Sequence, residues 1–203
     1  MNFPRILKKR KGYIVRIKPF MQKSVVKVLT GQRRVGKSFL LYQLIEEILA
    51  EEPDANIIYV NLEDFTFSSL QTAEDLHSYI ISHSKEKVKN YIFIDEIQDI
   101  PGFEKVIRSL LLNEDNDIYI TGSNAKMLSG ELATYLSGRY IEFKIYSLSY
   151  SEFLEFHGLT ESETSYELYS RYGGLPYLLN LPLEDETVNE SVSYTHLRAH
   201  ETR

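Results

Sequence analysis

Eight consecutive residues hold the densest chemistry in the chain: Gly31, Gln32, Arg33, Arg34, Val35, Gly36, Lys37 and Ser38. They fit the pattern G-x-x-x-x-G-K-[ST], in which each fixed position does a physical job. The two glycines let the backbone curl so that successive N–H groups point inward as anion donors. Lys37 sets a point positive charge where β- and γ-phosphates would lie, and the Ser38 hydroxyl is a ligand for Mg²⁺. Phe39 closes the segment and opens the next apolar pattern. Residues 31–39 therefore predict binding of a nucleoside triphosphate with its metal ion. A second chemical centre is Asp95-Glu96, at the end of the apolar run Tyr91-Ile92-Phe93-Ile94. A buried parallel strand that delivers a carboxylate at its C-terminal end is where open α/β sheets keep their ligands. Asp95 is expected to hold Mg²⁺ through water, opposite Ser38. Glu96 is expected to orient and deprotonate the attacking water. Two acids at a strand end, taken alone, also cap turns; joined to a complete phosphate loop they read as catalytic.

The flanks supply the elements that such residues need. Val25-Val26-Lys27-Val28-Leu29-Thr30 is a β-branched run, and Phe39 to Leu49 has apolar residues at helical spacing. Strand, loop and helix in this order place phosphates on a helix N-terminus. Pro53 to Asn56 reads as a turn, and Ile57 to Leu62 as a second strand. Thr72 or Ser69 is expected to cap a helix through Leu76, Tyr79 and Ile80. The insertion of a strand and a helix between loop and acid pair implies that the acid strand is not the sequence neighbour of the first strand. Further strands are expected at Asp117 to Asn124, ending in polar residues, and at Tyr140 to Tyr146. Leu148 to Leu179 reads helical, interrupted at Gly173-Gly174-Leu175-Pro176.

At 203 residues the chain suits one α/β domain with the start of a second. It has no cysteine, which removes disulfides and thiolate metal sites and suits a reducing compartment. His77, His83 and His157 are scattered without metal-ligand spacing, and no segment approaches the ~20 apolar residues of a membrane span. The expected location is cytoplasmic. The net charge of −6 conceals an asymmetry, because the first acid is Glu46 and residues 1–45 contain twelve Lys and Arg. Within the basic arm of residues 1–22, Gly12 and Pro19 are expected to limit any helix. The run Lys8-Lys9-Arg10-Lys11 either attracts nucleic acid or docks as a solvated arm on the acidic body.

Five motifs in order carry a resemblance. They are the loop at 31–38, Asp95-Glu96-Ile97-Gln98, Thr121-Gly122-Ser123, Leu136-Ser137-Gly138-Arg139-Tyr140 and Ser147-Leu148-Ser149-Tyr150-Ser151-Glu152-Phe153. With them residues 23–157 resemble the AAA+ ATPase domain, in particular a prokaryotic family that usually carries a further C-terminal domain. Ser147 departs from the family pattern, which usually has proline there. The resemblance implies a P-loop NTPase three-layer α/β sandwich with a five-stranded parallel sheet in the order 5-1-4-3-2. It also implies a partial helical lid over 158–191. ATP and Mg²⁺ are the implied ligands, with ATP chosen over GTP, and hydrolysis driving a conformational change is the implied activity. A slow nucleotide-dependent switch is the alternative. Ser123, or else Asn124, takes the place of the residue that senses the γ-phosphate; the plain alternative is a strand end before an ordinary helix cap. Arg139 takes the place of the finger that reaches a neighbour's γ-phosphate in a homo-oligomer, or pairs locally with Glu142. Gly173 to Pro176 resembles a lid segment near base and phosphates, and also a helix C-cap followed by a proline start. Val192 to Thr202 resembles the translation of a sequencing adapter. Native sequence is therefore expected to stop near Ser191, with residues 192–203 foreign and the family's C-terminal domain lost.

Overall fold

In the computed structural model, which describes residues 8–123, 136 and 138–180, elements follow the apolar spacing of the sequence. The strands are β1 (Val26–Gly31), β2 (Asn56–Asn61), β3 (Asn90–Asp95), β4 (Asn116–Ser123) and β5 (Tyr140–Lys144). The helices are α1 (Lys11–Ile17), α2 (Lys37–Glu51), α3 (Ala73–His83), α4 (Phe103–Leu110), α5 (Tyr150–His157) and α6 (Glu163–Tyr172). All strand pairs are parallel, and the spatial order β2-β3-β4-β1-β5 is the expected order read from the other edge. β1 and β3 are buried along their whole length, as strands covered on both faces must be.

Alternation of side chains sorts the core into two faces. Val26, Val28, Ile92, Ile94, Ile118 and Ile120 join Leu76 and Ile80 of α3 and Val106, Ile107 and Leu110 of α4. Leu29, Phe93 and Tyr119 alternate with them and are buried on the other face, where Phe93 and Tyr119 stack at 4.4 Å. On that face Tyr59 of β2 meets Tyr42 of α2, with ring centroids 5.4 Å apart. The result is three layers, with α3 and α4 on one side of the sheet and α2 on the other. Thr72, rather than Ser69, caps α3 through a box with Asp75.

The arm docks on the body. α1 runs through Gly12, against expectation, and stops before Pro19, which lies in a 3₁₀ turn over Lys18–Phe20. Its buried residues are Tyr13, Ile14 and Ile17. Lys9 Nζ lies 2.9 Å from Glu47 Oε1, and Lys18 Nζ lies 2.7 Å from Glu51 Oε1, both acids on α2. The Gln43 side chain of α2 joins the arm's backbone, accepting from the Arg10 N–H and donating to the Lys8 carbonyl. Two of the arm's cations are thus matched by acids of the body. Apolar burial should hold the arm more firmly than charge does. Ile17→Ala is expected to cost about 2–4 kcal/mol, and Lys9→Ala less than about 1 kcal/mol, read from denaturant midpoints. Equal losses would assign the docking to charge.

The chain divides into two compact units, one drawn from Met1–Arg33 with Lys37–Ile145 and the other from Arg34–Gly36 with Tyr146–Arg203. In the first, Lys27 and Asp117 form a fully buried ion pair at the N-terminal end of the sheet. Burial pushes the Lys27 ammonium down, against the pull of Asp117. In the second, Ser149 and Glu152 form a capping box at the start of α5, and Gly158 ends that helix in the left-handed region. Leu148, Phe153 and Phe156 are its core, with Leu168 and Tyr169 of α6 against them. The helical reading of 148–179 therefore has a second interruption, at 158–162. Gly174 has no room for a side chain: a Cβ there would lie 2.2 Å from the Leu148 carbonyl oxygen. Among the described residues no helix is long and apolar enough to cross a membrane. Residues 181–203, which include the predicted adapter segment and the end of the predicted lid, lie outside the described residues.

Candidate active site

The loop between β1 and α2 is built by its glycines and by the start of the helix. Gly36 has φ 94°, a conformation that side chains with a Cβ rarely adopt. Arg34, at φ 66°, is held in the left-handed region despite its Cβ. Helix α2 starts at Lys37, so its unpaired N–H groups and positive dipole end face the loop. Val35 is buried, whereas Gln32, Arg33 and Arg34 are exposed. Phe39 is half exposed, its ring edge-on to Tyr42. Lys37 is only 4% exposed. Its Nζ donates to the carbonyl oxygens of Gly31 at 3.3 Å and Gln32 at 3.1 Å.

The acids converge on the same place. Asp95 ends β3 and is 1% exposed. Burial pushes its carboxyl up, opposed by hydrogen bonds from Ser38, Thr121 and Tyr59. The Ser38 contact joins the two predicted metal ligands directly. Glu96 follows in the left-handed region, at φ 55° and ψ 48°. This reversal of the chain aims Glu96 differently from Asp95: its Oε1 lies 3.4 Å from Lys37 Nζ. Its Oε2 accepts from Gln98 Nε2 at 2.6 Å. A serine hydroxyl and a carboxylate are hard oxygen donors suited to Mg²⁺. With a buried lysine and a glycine-shaped loop at a helix N-terminus, they fit a magnesium nucleotide. Lys37 and the loop N–H groups would take the phosphates, Ser38 and Asp95 the metal.

Other expected residues fall less centrally. Ser123 is the last residue of β4 and pairs in register with Gly31, so its backbone lies at the mouth of the loop. Asn124 and Ser137 lie outside the described residues. Arg139 is exposed, immediately before β5. Its carbonyl accepts from the Val26 N–H at the start of β1. The β1 ladder runs from Val26 to Gly31, roughly 16 Å at ~3.3 Å per residue. Arg139 therefore stands at the opposite end of the sheet from its own loop. Glu142, its alternative partner, accepts from the Thr30 hydroxyl at 2.6 Å, and Arg139 has no ion pair among the described residues. In the second unit Gly173 ends α6 and Pro176 begins a 3₁₀ turn. A Cβ at Gly36 would lie 3.7 Å from Pro176 Cγ.

Four residues joined to the acids were not singled out by sequence reasoning. Thr121 of β4 donates its hydroxyl to Asp95 Oδ1 and accepts the Glu96 N–H at 3.0 Å. Tyr59 donates towards Asp95 Oδ2 at 3.3 Å, and burial with the nearby Asp95 charge pushes its phenol up. Gln98 holds Glu96, as given above. Glu63, just past β2, has its carboxyl pushed up by burial and by Glu96, with Arg33 opposing. Gln98 and Thr121 belong to quoted motifs, though neither was given a role there, and Tyr59 and Glu63 carry no spacing signal, since the acids they reach stand at the end of another strand.

A parallel sheet in this order, with a phosphate loop after β1 and an acid pair after β3, defines an AAA+ P-loop ATPase fold. The chain belongs to the AAA domain family, whose profile matches residues 23–154. An uncharacterized protein of Haemophilus influenzae is 39% identical over 194 residues, covering 90% of this chain and 46% of that protein. The uncharacterized protein MJ1544 of Methanocaldococcus jannaschii is 30% identical over 184 residues, covering 85% of this chain and 40% of that protein. The chain thus spans less than half the length of these relatives. Among solved structures, an S. cerevisiae Hsp104–ADP complex aligns with TM-score 0.61 at 13% identity, over 87% of this chain and 30% of that one. An E. coli HORMA:CdnC:Trip13 complex aligns with TM-score 0.53 at 14% identity, over 81% and 64%. These likenesses show the fold. Family and fold together make this a nucleotide-binding, ATPase-like domain.

Proposed function

We propose that the domain binds ATP with Mg²⁺ and hydrolyses it, and that hydrolysis drives a conformational change in a partner or in sequence beyond this domain. The observation that carries this reading is the buried cluster in which Ser38 meets Asp95 and Lys37 meets Glu96. The metal, when bound, would neutralise charge on the phosphate oxygens. Lys37 orients the phosphates, Ser38 and Asp95 fix the metal's place, and Glu96 takes the proton of the attacking water. Lys37→Ala is expected to abolish tight ATP binding by calorimetry while leaving the circular dichroism spectrum unchanged. Affinity equal to the parent's would remove the loop from the site.

The Lys37–Glu96 contact favours one second reading, a slow switch. The base and the phosphate-binding cation hold each other, so Lys37 must be drawn off by phosphates before Glu96 is released to water. Turnover separates the readings: several turnovers per minute support a motor, and near-stoichiometric retention of ADP supports a switch.

A further inference from the structure

We propose that Thr121 is a positioning residue that sets Asp95 and Glu96 in their divergent orientations. This rests on the reading of Asp95 as metal acid and Glu96 as base. A hydroxyl has one proton to give and lone pairs to receive. Thr121 Oγ1 gives its proton to Asp95 Oδ1 and receives the Glu96 N–H at 3.0 Å. One atom on β4 thereby touches the Asp95 carboxylate at the end of β3 and the backbone of Glu96 just after it.

The need for such an atom follows from the backbone. Glu96 lies in the left-handed region, which a residue with a Cβ occupies only when its surroundings enforce it. The Thr121 hydroxyl supplies an acceptor to the Glu96 N–H at this reversal. Its other bond orients the Asp95 carboxylate, whose Oδ2 has Tyr59 within 3.3 Å. Thr121 and Asp95 are 0% and 1% exposed, so no bulk water stands ready to replace these bonds. The threonine methyl restricts the side-chain rotamer, which fixes where the hydroxyl points.

The location gives the contact a reach beyond the pair. β4 is the strand hydrogen-bonded to both β1 and β3. Thr121 pairs in register with Leu29, and two residues later Ser123 pairs with Gly31 at the mouth of the phosphate loop.

The test compares Thr121→Val, Thr121→Ser and Tyr59→Phe with the parent chain by four measurements. These are thermal melting, labelled-ADP affinity in EDTA, Mn²⁺ affinity of the ADP complex by electron paramagnetic resonance, and steady-state hydrolysis. Hydrogen exchange of the Glu96 amide is followed without nucleotide. Thr121→Val is expected to keep metal-free ADP affinity within about threefold, to weaken Mn²⁺ binding about 10-fold or more, and to lower kcat by a similar factor. It should also speed exchange at Glu96. Thr121→Ser should restore each value to within about threefold of the parent. Tyr59→Phe should weaken Mn²⁺ binding and leave the Glu96 amide undisturbed, since of the two acids Tyr59 reaches only Asp95. Should Thr121→Val fail to fold, the serine and phenylalanine variants still decide the matter. Slow Glu96 exchange and parental Mn²⁺ affinity in Thr121→Val would overturn the proposal. So would a serine variant that loses as much kcat as it loses melting temperature, with Glu96 exchange as fast as in unfolded chain. A parent that binds no ADP would sink the nucleotide reading instead, and Glu96 exchange would still report whether Thr121 fixes the turn.

Discussion

Arg139→Ala is expected to lower ATP hydrolysis by up to ~10³-fold while leaving ATP binding by a single chain nearly unchanged. The geometry behind this is the direction of the sheet. Arg139 precedes β5 beside Val26, whereas the phosphate loop follows the other end of β1. The Arg139 backbone is thus set at the end of the β1–β5 pair remote from the chain's own loop. Under the proposed finger reading, an exposed cation so placed would act on the nucleotide of a second chain. Its local alternative partner, Glu142, is engaged by the Thr30 hydroxyl. The parent's rate per subunit should therefore rise with protein concentration, and that rise should vanish in Arg139→Ala. Mixing Arg139→Ala with Glu96→Gln should restore activity, because an intact Glu96 site then faces an intact Arg139. A rate per subunit that stays flat across the assembly range, with no rescue on mixing, would make Arg139 an ordinary surface charge.

Glu96→Gln is the second large effect. It should preserve Mg²⁺-ATP binding and lower hydrolysis roughly 10²-fold or more, the size usual for loss of a general base. The substitution keeps the shape of the side chain, and its amide can still meet Gln98 where Oε2 now accepts at 2.6 Å. It removes the negative charge 3.4 Å from Lys37 Nζ, so the lysine is released towards phosphate and ATP affinity should hold or rise slightly. Asp95→Asn should behave differently, weakening Mg²⁺ dependence and nucleotide binding together. Hydrolysis at the parent rate in Glu96→Gln would assign the proton transfer elsewhere.

Much of this architecture was legible in local sequence. β-branched runs bounded by turn residues marked β1, β2 and β3, and helical spacing marked α2 and α3. Periodicity works there because each element is covered by a single apolar face or by two. The docked arm was harder to read. Gly12 argued against a helix, but the burial of Tyr13, Ile14 and Ile17 on the body outweighs one glycine's backbone entropy. Helix α4 went unassigned, although Phe103, Val106, Ile107 and Leu110 keep helical spacing. Its eight residues follow a proline and a glycine, and so short an amphipathic stretch gains its stability from tertiary packing.

Sequence alone singled out the residues proposed for the chemistry in consecutive stretches: the loop from Gly31 to Ser38 and the pair Asp95-Glu96. Their backbone geometry and side-chain types are local properties, set by glycine conformations, a helix start and a strand end. Tertiary structure decided which residues hold them. Thr121 lies 26 residues from Asp95 in the chain and Tyr59 lies 36 away, yet each reaches it through a neighbouring strand. Strand neighbours follow from the order β2-β3-β4-β1-β5, which no window of local sequence encodes. That order sets β4 between the loop strand and the acid strand, so that a single hydroxyl meets both carboxylate-bearing residues.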